Sequence, residues 1–278
     1  MNRRTLINWT LALGAAVSVS ALAGGIAAAD VLDDVKKAGV LKVGTETAFA
    51  PFDFIDAGKH VGLNVDLFAE IGKEMGVKIE WIALPWDGVL PGLESGKFDI
   101  VAGPATITKA RLERYAFSPP IAEATVALLK KAGDTSIMKP EDIAGKAVGS
   151  GKATAQLAQL QKFGATLPKP VDAKEYPSFN EAYADLAAGR VVAVANSLPN
   201  IAYLASQRKG VFEVVKPAFG VKAYFGFPER KDAPYASLNK AVAEAMAKIK
   251  ADGRMAKIQE KWFGTAFDTP AEVTDPAL

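Results

Sequence analysis

The sequence predicts an α/β protein built from two lobes, each around its own sheet. Short apolar segments alternate with amphipathic helices in two blocks, and the alternation pauses near residues 118–120 before it starts again at Gly145. Such alternation is typical of a parallel sheet with helices on its faces. Two continuous apolar runs, 124–129 and 221–227, flank the second block and are suited to carry the chain between the lobes.

The first block predicts the order strand, helix, strand, helix, strand. In its first helix Val65, Phe68, Ile71 and Met75 recur at helical spacing, and Gly76 follows as a terminating residue. The predicted elements are strand 41–45, helix 65–75, strand 77–82, helix 86–94 and a short apolar strand that ends before Gly103-Pro104.

The second block predicts a smaller α/β unit, and two helices follow it. The predicted elements are strand 147–149, helix 154–163, helix 178–188, strand 191–195, helix 199–206, strand 211–215, helix 236–251 and helix 255–262. The tail from residue 265 contains two prolines and no periodic pattern, so we expect it to be disordered.

The N-terminus has the pattern of an export signal. Arg3 and Arg4 precede an apolar run to about residue 23, and alanines 27–29 form a small-residue cleavage site. The two arginines fit both the general secretory and the twin-arginine route. The predicted organisation is a signal peptide 1–29, a first lobe of 30–122 plus 221–264, a second lobe of 123–220 and a tail of 265–278.

The composition excludes several classes of function. The absence of cysteine rules out disulfides, a thiol nucleophile and a lipid-anchoring cysteine. Without Arg3 and Arg4 the chain has equal numbers of basic and acidic residues, 31 of each, which argues against a nucleic-acid partner. The single histidine, His60, lies in a turn and is expected at the surface. No metal-ligand spacing, nucleophile elbow or phosphate loop is present, so no catalytic residue, metal or cofactor is predicted.

The segment after the third strand suggests a binding site for an anion. Thr108 has the position of an N-cap, which places Arg111 in the first turn of the next helix. A cation there is unfavourable beside the partial positive charge of the free N–H groups, unless an anion binds as well. A guanidinium next to these groups and the hydroxyl of Thr106 suits a carboxylate. A solvated arginine on a surface helix is the alternative.

The predicted strand ends bring several loops to one cleft, because ligands of open α/β sheets bind at the carboxyl ends of strands. The first lobe contributes loops 45–52, 86–88 and 103–111. The second lobe contributes residues 150–156 and 196–197 from the opposite side.

Many short segments from about residue 35 to 264 resemble the periplasmic substrate-binding proteins of polar amino-acid ABC importers, family 3 of the bacterial solute-binding proteins. The segments are Val43-Gly44-Thr45, Pro51-Phe52, 61–67, 86–93, 96–99, Thr106-Ile107-Thr108 with Arg111, Phe117-Ser118, 189–191, 251–253 and 260–264. The resemblance implies a monomeric periplasmic protein without enzymatic activity, whose two lobes close on an amino acid like a hinged clamp. It also implies a membrane permease as partner.

The resemblance also implies roles for individual residues. Arg111 would bind the ligand carboxylate with help from Thr106, and the loop before Thr154 and Ala155 would complete that site from the second lobe. Trp86 and Phe49 would cover the ligand side chain, or else be ordinary core residues. The predicted binding set is Glu46, Phe49, Trp86, Gly103, Thr106, Arg111, Thr154, Ala155, Asn196 and Ser197.

One position departs from the family pattern. Ser197 stands where the family usually has an aspartate that pairs with the ligand ammonium. Two ligand classes therefore stay open: an α-amino acid held by Ser197, Asn196 and carbonyl groups, with Glu46 adapting, or an organic acid or N-modified amino acid. A periplasmic lyase or dehydratase on the same scaffold, with Glu46 as the candidate acid, and a ligand-sensing partner of a signalling receptor are the alternative functions.

Overall fold

The computed structural model describes residues 30–278, so the expected signal peptide lies outside the described residues. The helices are α1 (Val31–Ala38), α2 (Leu63–Met75), α3 (Trp86–Glu94), α4 (Lys109–Arg114), α5 (Ala155–Gly164), α6 (Phe179–Ala188), α7 (Leu198–Gln207), α8 (Ala236–Ala251) and α9 (Arg254–Phe263). Short 3₁₀ turns lie at Pro140–Ile143 and Ala233–Tyr235. None of these helices is long and apolar enough to cross a membrane.

Sixteen strands form four sheets in the described part of the chain. They are β1 (Val40–Thr45), β2 (Ala48–Phe49), β3 (Asp53–Asp56), β4 (Lys59–Val61), β5 (Lys78–Ala83), β6 (Ile100–Val101), β7 (Ala105–Thr106), β8 (Tyr115–Phe117), β9 (Ala122–Glu123), β10 (Val126–Lys131), β11 (Ala147–Gly151), β12 (Asp172–Tyr176), β13 (Ala193–Ser197), β14 (Phe212–Val215), β15 (Tyr224–Gly226) and β16 (Pro228–Arg230).

The two large sheets confirm the predicted two-lobed α/β fold. The first lobe is built on the order β5-β1-β6-β16-β8, and the second lobe on β12-β11-β13-β10-β14. In each sheet the strands that alternate with helices pair in parallel, as β1 does with β5 and β6, and β11 does with β12 and β13. Each sheet is mixed, because β16 and β10 enter their sheets antiparallel.

The segments that connect the lobes lie side by side. β9, just before the chain enters the second lobe, pairs with β15, just after it returns, with Phe225 opposite Ala122. The apolar run 124–129, expected as a crossing, mostly forms β10 inside the second sheet. Its continuous burial explains the continuous apolar sequence, since a central strand is covered on both faces.

The helices that flank the first sheet follow the predicted pattern. On α8 the four residues Leu238, Val242, Met246 and Ile249 are buried, at the spacing of one helical face. α2 ends at Gly76, which has a φ of 70°, a left-handed conformation that glycine adopts without steric cost.

Several features depart from expectation. Helix α1 and strand β12 were not predicted, and neither was the small sheet β2-β3-β4, whose strands have two to four residues each. The tail is not disordered but lies along the first lobe. The Leu278 carbonyl accepts a hydrogen bond from Lys109 N at 2.7 Å, and the Thr269 hydroxyl donates one to Pro120 O at 2.8 Å.

Glu229 on β16 is a buried acid without a compensating charge. Its side chain is 2 % exposed, its Oε1 has no hydrogen-bond partner, and burial raises its pKa from 4.5 to about 8. The folded protein therefore keeps a proton on Glu229 in a pH range where the unfolded chain has released it.

We expect the free energy of unfolding to fall as the pH rises from 4.5 towards about 8, because the folded state binds more protons in this window. One such group contributes a slope of at most about 1.4 kcal/mol per pH unit. Urea denaturation across this range measures the slope, and Glu229→Gln should reduce it. Glu213→Gln, at an exposed position, is the control. Identical slopes in wild type and Glu229→Gln would contradict the expectation.

Candidate binding cleft

The loops at the carboxyl ends of the parallel strands face one another between the lobes, as the sequence predicted. Trp86 Nε1 on the first lobe donates a hydrogen bond to Ala153 O on the second at 3.3 Å. Asn200 Nδ2 on the second lobe donates to Ala50 O on the first at 2.7 Å. Lys152 Nζ lies 3.1 Å from Asp87 Oδ2. The two lobes are therefore in direct contact across the cleft.

Arg111 lies in this cleft with little compensation for its charge. Thr108 caps α4 by accepting a hydrogen bond from Arg111 N at 3.2 Å, as predicted. The guanidinium donates to Thr106 O at 2.9 Å and lies 5.7 Å from the centre of a Trp86 ring. Burial lowers its pKa to about 10. A desolvated cation with one carbonyl as partner favours a bound anion, which excludes the solvated surface arginine.

Glu46 supplies a buried carboxyl group to the same cleft. The residue is 8 % exposed, and burial, together with the nearby Asp53, raises its pKa to about 8. Within residues 30–278 its side chain makes no hydrogen bond or ion pair that would stabilise the ionised form. The first lobe thus brings a guanidinium and a protonated carboxyl group to the cleft, and a binding role for either stays a prediction.

The residues beside Arg111 and Glu46 are Gly103, Thr106 and Trp86. A Cβ atom on Gly103 would lie 3.4 Å from the Trp86 ring and 3.6 Å from Glu46 N, so the loop is closely packed there. Thr106 is 2 % exposed, and its carbonyl is the acceptor for Arg111. The structure therefore brings together Glu46, Trp86, Gly103, Thr106 and Arg111, while their roles in binding stay predictions.

Phe49 joins the two lobes through aromatic contacts. Its ring centre lies 5.7 Å from that of Phe179 on the second lobe and 5.7 Å from that of Phe225 on the first. Phe49 is 3 % exposed in this arrangement. A role in covering a ligand stays a prediction, and the observed contacts also give the residue a packing role.

Thr154 and Ala155 lie at the N-terminus of α5, beside the contact between Trp86 and Ala153. The Thr154 hydroxyl caps the helix by accepting from Leu157 N at 3.1 Å and donates to Gly151 O at 2.7 Å. Ala153 has a φ of 58°, in the left-handed region. The N–H groups in the first turn of α5 have no partners within the helix and suit an anion.

Asn196 and Ser197 at the end of β13 are buried and hydrogen-bonded within the second lobe. The Ser197 hydroxyl accepts from Gln156 Nε2 at 2.9 Å and donates to Ala124 O at 3.3 Å. Asn196 Oδ1 accepts from Ser197 N at 2.7 Å, and its Nδ2 donates to the Tyr183 hydroxyl at 2.8 Å. Ser197 therefore has its hydrogen bonds satisfied without a ligand.

Sequence reasoning missed two polar residues near the cleft, Asp53 and Tyr183, and it assigned no individual role to Gln156. Asp53 is fully buried behind Glu46, where it contacts the Thr45 hydroxyl and the His60 ring. The expectation of a surface histidine is wrong, because the His60 side chain is 20 % exposed and pairs with Asp53. The position of Asp53 between Phe52 and Phe54 could have indicated a buried acid. The small sheet that brings it to His60 was not predicted.

Comparison with known proteins places these features in context. The sequence profile of the bacterial extracellular solute-binding proteins, family 3, matches residues 41–265. The chain is 32 % identical to the L-cystine-binding protein TcyJ of Escherichia coli K12 over 236 residues, which cover 84 % of this chain and 86 % of TcyJ.

Solved structures show the same similarity. An ancestral arginine-binding protein bound to arginine superposes with a TM-score of 0.74 at 37 % identity, over 81 % of this chain and 99 % of that one. The amino acid ABC transporter substrate-binding protein AbpA from Streptococcus pneumoniae, bound to L-arginine, superposes with a TM-score of 0.74 at 26 % identity, over 85 % of this chain and all of AbpA (100 %).

Proposed function

The chain belongs to family 3 of the bacterial extracellular solute-binding proteins, and from this we propose that it captures an amino acid between its lobes and delivers it to an ABC importer. The observation that carries the proposal is the pair of ionisable groups on the first lobe that lack a counter-charge, the partly exposed guanidinium of Arg111 and the buried carboxyl of Glu46. Arg111 binds the ligand carboxylate, and Glu46 compensates the ligand's positive charge. A zwitterion satisfies both at once, which offsets the cost of keeping each charge out of water.

An amino acid fits this arrangement better than an organic acid. Ser197 replaces the expected acid and is occupied within its own lobe, so the counter-charge for an ammonium has to come from elsewhere. Glu46 is the buried carboxylate that can supply it. TcyJ, which is named for L-cystine, and the two solved relatives, which are both bound to arginine, support an amino-acid ligand.

The second lobe completes the site on closure. The first turn of α5, with Thr154 and Ala155, presents N–H groups to the carboxylate held by Arg111. Phe49 and Trp86 form the apolar wall. The paired strands β9 and β15 act as the hinge between a first lobe of 30–122 plus 221–264 and a second lobe of 123–220.

The same proposal includes the location of the protein and its partner. Residues 1–29 direct export and are removed, and the mature protein acts in the periplasm as a monomer. AbpA, an ABC transporter substrate-binding protein, supports a membrane permease as the partner.

A thermal-shift panel tests the ligand class. Each common L-amino acid is paired with its deaminated carboxylate and added to the mature protein. We expect the melting temperature to rise with at least one amino acid and not with its deaminated partner, because a ligand that binds only the folded state stabilises it. Larger shifts with the deaminated acids would contradict the proposal.

Removal of the Arg111 guanidinium should abolish most of the binding. Arg111→Ala is expected to cost about 2–5 kcal/mol of binding free energy, the range for truncation of a buried, charge-paired contact. Isothermal titration calorimetry with the best amino acid from the panel measures the loss. Arg114→Ala, on the same helix at an exposed position paired with Glu94, is the matched control and should bind normally. Unchanged affinity in Arg111→Ala would refute the site.

Affinity for the zwitterion should rise with pH below about 8, because free Glu46 holds a proton that must leave when the ammonium binds. The rise is at most about tenfold per pH unit, and it levels off above the pKa. Calorimetry across this range measures it. Glu46→Gln should bind more weakly and without this slope. The control is Glu229→Gln. It removes another buried carboxyl, whose pKa is raised by burial alone, and it should keep the pH dependence of binding. A slope that persists in Glu46→Gln would assign it to another group.

A further inference from the structure

Tyr183 on α6 lies on the face of its helix that meets the first lobe. It follows Phe179 by one turn, and residues four apart share a helix face. The Phe179 ring packs at 5.7 Å from Phe49 of the first lobe and stacks at 6.1 Å on Tyr183. Phe49 belongs to β2, three residues after Glu46. This chain of contacts places the Tyr183 hydroxyl on the Glu46 side of the cleft.

The hydrogen bond from Asn196 leaves the Tyr183 hydroxyl available as a donor. Asn196 Oδ1 accepts from Ser197 N, so the amide orientation is set and Nδ2 is the group that donates to the Tyr183 oxygen at 2.8 Å. The oxygen is thus engaged as an acceptor, and its own proton points elsewhere. Among residues 30–278 no acceptor lies within hydrogen-bond distance of that proton.

The hydroxyl remains a neutral donor under physiological conditions. Burial, together with the negative charge of Glu46, raises the pKa of Tyr183. A ligand acceptor would give this proton the partner that it lacks among residues 30–278.

We infer that Tyr183 is a specificity-determining residue, whose hydroxyl donates a hydrogen bond to a neutral acceptor on the ligand side chain. This inference rests on the proposed function. A carboxamide is the ligand group that fits, because its carbonyl accepts from Tyr183 while the neighbouring Glu46 disfavours a second carboxylate. A purely cationic or apolar side chain leaves the Tyr183 proton without a partner.

The rest of the second-lobe wall supports this selectivity. Gln156, Ser197 and Asn196 pair with one another and with the backbone, so they present no charge to the ligand. Their effect is to hold the Tyr183 oxygen through Asn196. The first lobe therefore supplies Arg111 and Glu46, which bind the zwitterion, and the second lobe supplies the Tyr183 hydroxyl, which selects the ligand side chain by donating a hydrogen bond.

The test compares L-glutamine with L-norleucine, two amino acids of similar length of which only the first has a carboxamide. Calorimetry on the mature protein should show tighter binding of glutamine. Tyr183→Phe keeps the ring and should weaken glutamine binding about tenfold, the effect of one lost neutral hydrogen bond, while norleucine binding stays unchanged. Tyr176→Phe, which removes a second-lobe hydroxyl bonded to Asp185, is the matched control and should change neither.

Several outcomes would overturn the inference. They are absence of glutamine binding in the wild type, equal affinity for the two ligands, or an equal effect of Tyr183→Phe on both ligands, which would indicate a structural role or direct donation to Glu46. Melting temperatures of both variants confirm folding. If Arg111→Ala abolishes amino-acid binding while Tyr183→Phe has no glutamine-specific effect, the proposed function stands and this inference fails. If Arg111→Ala leaves binding intact, the proposed function itself fails.

Discussion

The uncompensated guanidinium of Arg111 is the feature on which the cleft depends. A cation held out of water with a single backbone carbonyl as partner is stable only where surrounding structure holds it there and a ligand can complete it. Thr108 caps the helix that carries Arg111, the Thr106 carbonyl accepts a hydrogen bond from its guanidinium, and the guanidinium lies over a Trp86 ring. Glu46 is protonated in the free cleft, and under the proposed function it ionises when the ligand ammonium binds.

The two lobes contribute different kinds of group to this pocket. The ionisable groups Arg111 and Glu46 come from α4 and from the loop after β1 in the first lobe, whereas Gln156, Asn196, Ser197 and Tyr183 of the second lobe are neutral. Under the proposed function, a ligand that reaches the first lobe alone finds partners for both of its charges. The second lobe then adds helix N–H groups and directional hydrogen bonds, which cost little to desolvate because they carry no net charge.

Contact between the lobes depends on a few specific groups rather than on a broad apolar surface. Hydrogen bonds from Trp86 and Asn200, and the packing of Phe49 on Phe179, join the two sheets across the cleft. The two segments that connect the lobes are hydrogen-bonded to each other through β9 and β15. The fold thus leaves the cleft as the place where the two sheets approach and separate.

The sequence alone determined the elements with strong local patterns. Examples are the periodic face of α8, the α2 terminus at Gly76, the Thr108 cap and, through it, the unusual position of Arg111. These signals need only neighbouring residues, because helix periodicity and caps act within a few positions. The two blocks of alternating strands and helices predicted the two-lobed fold, and the ends of the predicted strands indicated the loops at the cleft. The family resemblance then implied roles for individual residues.

Tertiary structure decided which polar groups are paired and which are free. The occupied hydroxyl of Ser197 depends on Gln156, 41 residues away, and the role of Tyr183 depends on Asn196, 13 residues away. The burial of Asp53 against His60 likewise required the small sheet that local propensity did not reveal. Such pairings follow from strand register and helix orientation, which no local pattern encodes. The sequence therefore predicted a site for a charged ligand here, and only the packed structure showed which side chains lack partners within the described chain.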